Sequence, residues 1–240
     1  MNILIPMAGL GSRFPSDKFP LPKPLIRINH IPMIVKAVNS LGVNGQFLYV
    51  ISKNRFTEEL RTWLMRYTPD CKIIEIDYLT EGPACSALLF EEDIDNQDEL
   101  IIANCDQIMT WNSEQFLANV RMFDGAVVTY YHNHERNSYA KVNRHGHVTQ
   151  IKEKQVISNI ALNGIHYWKH GSMFVDSAKQ MIKNEDRADN GEFYVGPTYN
   201  YLIQKGKQIG IYHIPNEQHH AVGIPEDLEA YIKYEDSQTE

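Results

Sequence analysis

Apolar and polar positions alternate in two rhythms along the first half of the chain. Asn2–Pro6 is a short apolar run closed by Pro6 and followed at once by Gly9 and Gly11, which predicts a buried strand feeding a tight loop. Ile31, Ile34, Val35, Val38 and Leu41 recur at helical spacing and predict a helix over 31–41. Residues 46–51 read as a second strand, and 56–67 as a helix with Phe56, Leu60, Trp63, Leu64 and Tyr67 on one side. A third strand is predicted over 72–78, a helix over 84–90 and a fourth strand over Leu100–Ala103. Strand alternating with helix is the pattern of a parallel sheet covered on both faces.

The second half changes rhythm. Residues 126–131, 139–143 and 147–152 are strand-like, and Arg144-His145-Gly146 makes a hairpin turn between the last two. Ile160–Trp168 reads as a strand, 172–182 and 194–204 as helices, and 208–214 as a strand. A closing helix over 225–234 has Glu226 and Asp227 in its first turn, where they suit the helix dipole, and 236–240 is expected to fray. The whole predicts an α/β fold: a mostly parallel mixed sheet with helices on both faces and extra antiparallel strands in the second half. No repeat, low-complexity tract or linker interrupts it, so one domain over 1–240 is expected, with halves at about 1–110 and about 111–240.

Composition closes off some functions. With 240 residues, 43% hydrophobic and 22% charged, the chain has apolar material for a full core. A formal charge of −7 argues against a dedicated nucleic-acid binder, which needs a basic face to displace phosphate counterions. Small phosphates stay open, because a site can be locally basic inside an acidic protein. Cys71, Cys85 and Cys105 are widely spaced and form no zinc-like cluster with the ten histidines. They read as small packed residues of a reducing compartment. Met1 leads straight into Asn2-Ile3-Leu4-Ile5 without a basic stretch and a long apolar run. No signal peptide or membrane span is expected, and the protein is read as cytoplasmic. Oligomeric state is left open.

The loop Ala8-Gly9-Leu10-Gly11-Ser12-Arg13-Phe14 lies at the carboxyl end of the first strand, where open α/β sheets bind ligands. Its glycines let backbone N–H groups approach phosphate oxygens. The dinucleotide fingerprint fails because Phe14 stands at the third glycine, and the P-loop pattern fails because no Gly-Lys-Ser/Thr follows. What stands there instead is a cation, Arg13, beside the glycines, and a second, Lys23, in Leu21-Pro22-Lys23-Pro24-Leu25. Gly9 to Arg13 and Pro22 to Pro24 together resemble the head motif of the sugar-phosphate nucleotidyltransferases, the nucleotide-sugar pyrophosphorylase-like enzymes: Gly-x-Gly-Ser/Thr-Arg, a proline-bearing loop, then Pro-Lys-Pro.

The resemblance runs on along the chain and is closest to capsule-associated members. It implies a Rossmann-like nucleotidyltransferase fold, with Ala8, Gly9, Gly11 and Ser12 at the nucleotide. Glu81-Gly82-Pro83-Ala84 stands where the family has a Gly-x-Ala turn facing the base, which implies nucleotide contacts at Glu81 and Gly82. Asn104-Cys105-Asp106 stands where the family's Gly-Asp holds magnesium. Tyr139-Ala140-Lys141-Val142 and Glu153-Lys154 resemble the sugar-side strand and the pair that contacts acceptor and phosphate. Asn163-Gly164-Ile165-His166 matches a Gly-Ile/Leu-Tyr strand, and Gly191-Glu192 a Gly-Glu turn. The implied acceptor contacts are therefore Tyr139, Glu153, Lys154, Asn163 and Glu192. Val222-Gly223-Ile224-Pro225-Glu226-Asp227-Leu228 resembles the terminal Gly-Thr-Pro-Glu-Asp-Leu segment. Two positions depart from the pattern. Cys105 replaces a glycine, and Ala221 stands where the family has a second magnesium aspartate, so the number of ions is open.

Nucleotidyl transfer asks a protein to hold two repelling anions together and to neutralise the leaving pyrophosphate. Arg13 suits the pyrophosphate because its fork grips two oxygens, and Lys23 suits the α-phosphate as a point charge. Lys154 would hold the acceptor's phosphate, and Asp106 suits magnesium. Plainer roles stand beside these. Lys152-Glu153-Lys154 could be a solvated strand end, Asp106 a helix cap or turn residue, Glu81 an exposed turn carboxylate and Glu192 a helix cap. His219 and His220 are adjacent on a strand, point to opposite faces and cannot share one ion; one is expected to be structural, the other exposed. Tyr194, Tyr199 and Tyr201 read as helix packing. The expected partners are a nucleoside triphosphate (CTP, UTP or dTTP) and a phosphorylated acceptor serving surface polysaccharide or related biosynthesis. A glycosyltransferase of the related nucleotide-sugar fold would hold metal with Asp-x-Asp, of which Asn104-x-Asp106 is half. A non-catalytic nucleotide-binding relative is the other alternative, and Ala221 fits it.

Overall fold

The structure, a computed structural model, describes residues 1–238. β1 (Asn2–Pro6) leads past a 3-10 turn at Lys23–Leu25 and a short hairpin of β2 (Arg27–Ile28) and β3 (Ile31–Pro32) into α1 (Met33–Leu41). β4 (Gln46–Ser52), α2 (Thr57–Tyr67), β5 (Lys72–Ile76), α3 (Pro83–Leu88), α4 (Glu91–Ile94) and β6 (Leu100–Ala103) follow. β1 lies between β4 and β6, parallel to both, and β5 continues the parallel run beyond β4. Ile3, Leu4 and Ile5 are all 0% exposed, as a strand buried on both faces requires. Ile3, Ile5 and Tyr49 pack with Ile34, Val38, Leu60 and Leu64 of α1 and α2. Leu4, Leu48 and Val50 face the other way, toward Ala87 of α3.

β7 (Gln107–Met109) and α5 (Ser113–Val120) lead to β8 (Gly125–Tyr131), the hairpin of β9 (Ser138–Val142) and β10 (Val148–Glu153), and the long β11 (Ile160–Trp168). β11 is antiparallel to both β6 and β8, and so carries the sheet from the parallel half into the mixed half. α6 (Gly171–Lys183), α7 (Tyr199–Gln204), β12 (Ile209–His213), β13 (His219–Ala221) and α8 (Pro225–Ser237) complete the described chain. β12 is parallel to β8 and joins the nine-stranded sheet, while β13 pairs with β7 in a separate ribbon. The α/β architecture is the one expected. Among the described residues no helix is long and apolar enough to cross a membrane, and all three cysteines are free.

Several boundaries differ for physical reasons. The helix expected from Ile31 starts at Met33, because Ile31 and Pro32 pair with Ile28 and Arg27. The helix expected over 194–204 is broken: Gly196 and Pro197 form a 3-10 turn, α7 starts at Tyr199, and Tyr194 lies outside it. The fraying expected over 236–240 is not seen at Asp236 and Ser237, which end α8; residues 239–240 lie outside the described residues. Asn29 Nδ2 donates to both Glu235 and Asp236 at 2.9 Å and secures that last turn. β7, α5 and β13 were not expected, being too short to show a period. α5 is nucleated by its cap, Asn112 Oδ1 accepting from Gln115 N at 2.9 Å.

Candidate active site

The loop after β1 and the 3-10 turn at Lys23–Leu25 meet above the carboxyl ends of β1 and β6. Gly11 has φ +62°, and a Cβ there would come within 3.0 Å of the Lys23 Cβ, so the loop needs glycine at this point. The Lys23 ammonium pairs with Asp106 Oδ2 across the gap. Burial works against that ammonium, but the Asp106 charge, Cys105 and the hydrogen bond outweigh it and raise its pKa. Asp106 is 9% exposed, its backbone carbonyl accepts from Val222 N at 2.9 Å, and a Cβ on Gly223 would lie 2.5 Å from its Oδ2. The terminal segment is thus folded hard against this carboxylate, and only a glycine fits. Gly9, Gly11, Lys23, Asn104, Cys105 and Asp106 border a recess of about 230 Å³. Burial pushes the Cys105 thiol up to about 11, so it stays protonated and unreactive.

A second recess, also about 230 Å³, opens on the other side of Asp106 and shares Asn104 and Asp106 with the first. Arg13, Glu153, Lys154, Asn163 and Tyr194 line it. Lys154 follows β10 with φ +52°, a left-handed conformation uncommon away from glycine, and its N–H donates to Asn137 O at 3.1 Å. This turn carries its ammonium to the Tyr194 hydroxyl at 2.6 Å and to 4.8 Å from that ring's centre. Burial pushes the Glu153 carboxyl above its ordinary value, although the Ser138 hydroxyl donates to it.

Of the fourteen-odd residues singled out from the sequence, the fold gathers Gly9, Gly11, Arg13, Lys23, Asp106, Glu153, Lys154 and Asn163 around the two recesses. Ala8 is buried beneath the loop and Ser12 is exposed on it, and neither is among the residues lining a recess. Tyr139 is a correction: it is 0% exposed in the core, and its hydroxyl donates to His134 O at 2.8 Å, so it supports the site from behind. Glu81 and Gly82 also stand outside both linings. The Glu81 carboxylate pairs with Arg187 at 2.6 Å, and the missing Gly82 side chain leaves room for the backbone of Phe193, 2.5 Å from where a Cβ would be. Glu192 accepts from Asn190 Nδ2 at 2.8 Å outside the linings, with Lys154 and Arg13 within electrostatic reach. Tyr194 lines the cleft rather than packing in a helix, whereas Tyr199 and Tyr201 are buried as expected. His219 and His220 do diverge, but neither is exposed: His219 faces the cleft beside Gln107, and His220 stacks 4.7 Å from Tyr234.

Sequence reasoning missed Phe14 and Arg136. Phe14 is buried with Ile26, Met33, Ile108, Val222, Leu228 and Tyr231, and so ties the glycine loop to α8. Arg136 lines the second recess and pairs with Asp227 at 3.3 Å. It sits in a polar run between two strands, where no spacing separates it from an ordinary solvated loop.

Asp106 is the carboxylate common to both recesses, and among the described residues no three His, Cys, Asp or Glu groups could cage an ion. That donor set fits a hard ion held by one carboxylate and completed by substrate phosphates and water. It does not fit an ion caged by protein alone.

The family profile described as nucleotidyl transferase matches residues 4–209. The chain belongs to that family. This nucleotidyl transferase has the fold of several solved structures. A nucleoside-diphosphate-sugar pyrophosphorylase from Vibrio cholerae RC9 superposes with a TM-score of 0.84 at 22% identity, over 96% of this chain and 99% of that one. An inositol-1-phosphate CTP transferase from T. maritima gives 0.73 at 15% identity, over 97% and 96%. A UDP-glucose pyrophosphorylase complexed with UDP-glucose gives 0.74 at 13% identity, over 99% and 98%. No curated protein matches the chain in sequence.

Proposed function

We propose that this nucleotidyl transferase moves a nucleoside monophosphate from a triphosphate to the phosphate of a sugar or sugar-like acceptor, releasing pyrophosphate. The observation that carries the proposal is the shared wall: Asp106, paired with Lys23, borders one recess rimmed by the glycine loop and another lined by Lys154. An acceptor phosphate in the second recess and an α-phosphate in the first would meet there. An acceptor phosphate oxygen attacks the α-phosphorus, and the bond from that phosphorus to the bridging oxygen breaks, leaving its electron pair on pyrophosphate. Lys23 and Arg13 neutralise the triphosphate and leaving group, and Lys154 holds the acceptor's phosphate in line. Magnesium at Asp106 would add positive charge at the phosphate oxygens. The resemblance to capsule-associated relatives supports a role in surface polysaccharide or related biosynthesis, in the cytoplasm. CTP, UTP and dTTP are the triphosphates to compare.

A matrix of triphosphates against phosphorylated sugars and polyols, followed by pyrophosphate release, tests this. At least one pair is expected to react with magnesium and to stop when the ion is chelated. Reaction undiminished in metal-stripped protein with chelator would reject the role of Asp106. Consumption of a nucleotide sugar with release of nucleoside diphosphate would replace the proposal with glycosyl transfer.

A further inference from the structure

Arg187 belongs to Asn184-Glu185-Asp186-Arg187, a polar run after α6 that reads as a solvated loop, and it is not among the residues lining either recess. Glu185 turns the chain with φ +51°, a left-handed conformation uncommon away from glycine, and Arg187 Nε donates back to its carboxylate at 2.6 Å. The same guanidinium donates through Nη1 to Gly191 O at 3.0 Å and through Nη2 to Glu81 at 2.6 Å. It lies 4.2 Å from the centre of the Phe193 ring. Its three nitrogens therefore hold three separate points, two on its own loop and one on the turn that leads into α3.

Behind this clasp two stretches of backbone are joined. Phe193 N donates to Glu81 O at 2.8 Å, and Ala84 N donates to Phe193 O at 3.0 Å. The Phe193 ring is buried with Ala84, Met181 and Tyr201. Pro83 on one stretch and Tyr194 on the other line the second recess. The Tyr194 hydroxyl accepts from the Lys154 ammonium at 2.6 Å and from Asn190 Nδ2 at 2.9 Å. Asn190 in turn lies in the tight turn that Gly191 closes, its N–H donating to Ala188 O at 2.8 Å. Contact thus runs unbroken from Arg187, through Gly191 and Phe193, to Tyr194 and on to Lys154.

We infer that Arg187 is a positioning residue for the acceptor's phosphate: it sets the loop that carries Tyr194, and through Tyr194 it fixes where the Lys154 ammonium points. The inference rests on the second recess being the acceptor site. Magnitudes separate this role from one of holding the fold together. The Arg187 side chain is 30% exposed and its partners Glu81 and Glu185 are 63% and 67% exposed, and exposed pairs of this kind contribute little to global stability. What three arms on one rigid fork supply is a fixed loop geometry, and displacing a group that orients a reactant costs far more in rate than such pairs cost in folding.

The test measures initial rates on the intact protein with a triphosphate and acceptor pair that releases pyrophosphate, each substrate varied in turn. Arg187→Ala should raise the acceptor KM about 3- to 5-fold and leave the triphosphate KM within about 1.5-fold, with a denaturant midpoint close to that of the wild type. Arg187→Lys, which keeps the charge but lacks the fork, should restore part of the loss. A double-mutant cycle with Lys154→Ala then decides the route. If Arg187 acts through Lys154, adding Arg187→Ala to Lys154→Ala changes the acceptor KM by less than about 1.5-fold, whereas a merely structural effect multiplies in full. If Arg187→Ala does not fold, Arg187→Lys enters the same cycle. A fully multiplicative effect, an unchanged acceptor KM, or a rise confined to the triphosphate KM would overturn the inference while leaving nucleotidyl transfer intact. No pyrophosphate from the wild type with any pair would instead overturn the acceptor site itself, and the inference with it.

Discussion

Lys23 serves two charges. In the proposed reaction it meets a triphosphate, and it is also the counter-charge of a carboxylate that is 9% exposed. From the sequence Lys23 and Arg13 look alike, two loop cations whose loss should hardly affect stability, but the structure separates them. Arg13→Ala should lower turnover about 10²- to 10³-fold and leave stability within about 0.5 kcal/mol. Lys23→Ala should lower turnover as much and also cost about 1–3 kcal/mol, because it leaves Asp106 buried without its partner. Urea unfolding beside a pyrophosphate assay checks this, and equal stability of the two variants would contradict it. The charged residues were legible because glycine and proline punctuate them, as at Gly9 to Arg13 and Pro22 to Pro24. Tyr139 was not, since a strand residue can face either side and only the packing of neighbouring elements chooses.

At the scale of elements, the alternation of the first half was readable because each segment is long enough to show a period. The ribbon of β7 and β13 was not, since three residues carry no period, yet that ribbon holds Gln107 and His219 against the cleft. The glycine loop depends on such unreadable support. Phe14→Ala should cost about 3 kcal/mol of stability and raise the triphosphate KM more than the acceptor KM, because the loop loses its anchor on α8. The turn that ends β10 is proposed to act on the opposite substrate. Lys154→Ala should raise the acceptor KM several-fold with triphosphate binding nearly intact, as initial-rate kinetics with each substrate varied would show. Matching effects of the two variants on both KM values would mean that the recesses do not divide the substrates.

For the whole molecule, buried titratable groups set the response to acid. Burial lowers His166 to about 3 and His219 to about 4, so the unfolded chain binds protons more readily than the native one. Their stabilisation is complete above the ordinary histidine value of 6.5 and is lost as pH falls through 4 toward 3. Glu153 has the opposite sign. Its raised pKa means that stability falls as pH rises from 4.5 through the elevated value, and its charge is a cost at neutral pH. His219→Gln should therefore flatten the loss of stability between about pH 6.5 and pH 4.5, and Glu153→Gln should raise stability near pH 7. Denaturant midpoints across that range measure both, and a slope unchanged by His219→Gln would refute the first.

The contact between Phe14 and the segment carrying Val222, Leu228 and Tyr231 also governs timing. On the ribosome that anchor is made roughly two hundred residues after the glycine loop, and closing so long a loop is slow. At translation speeds of about 5–20 residues per second, the loop waits on the order of ten seconds or more for that contact. Chains arrested before Val222 are therefore expected to hold the glycine loop less firmly than chains in which α8 has docked.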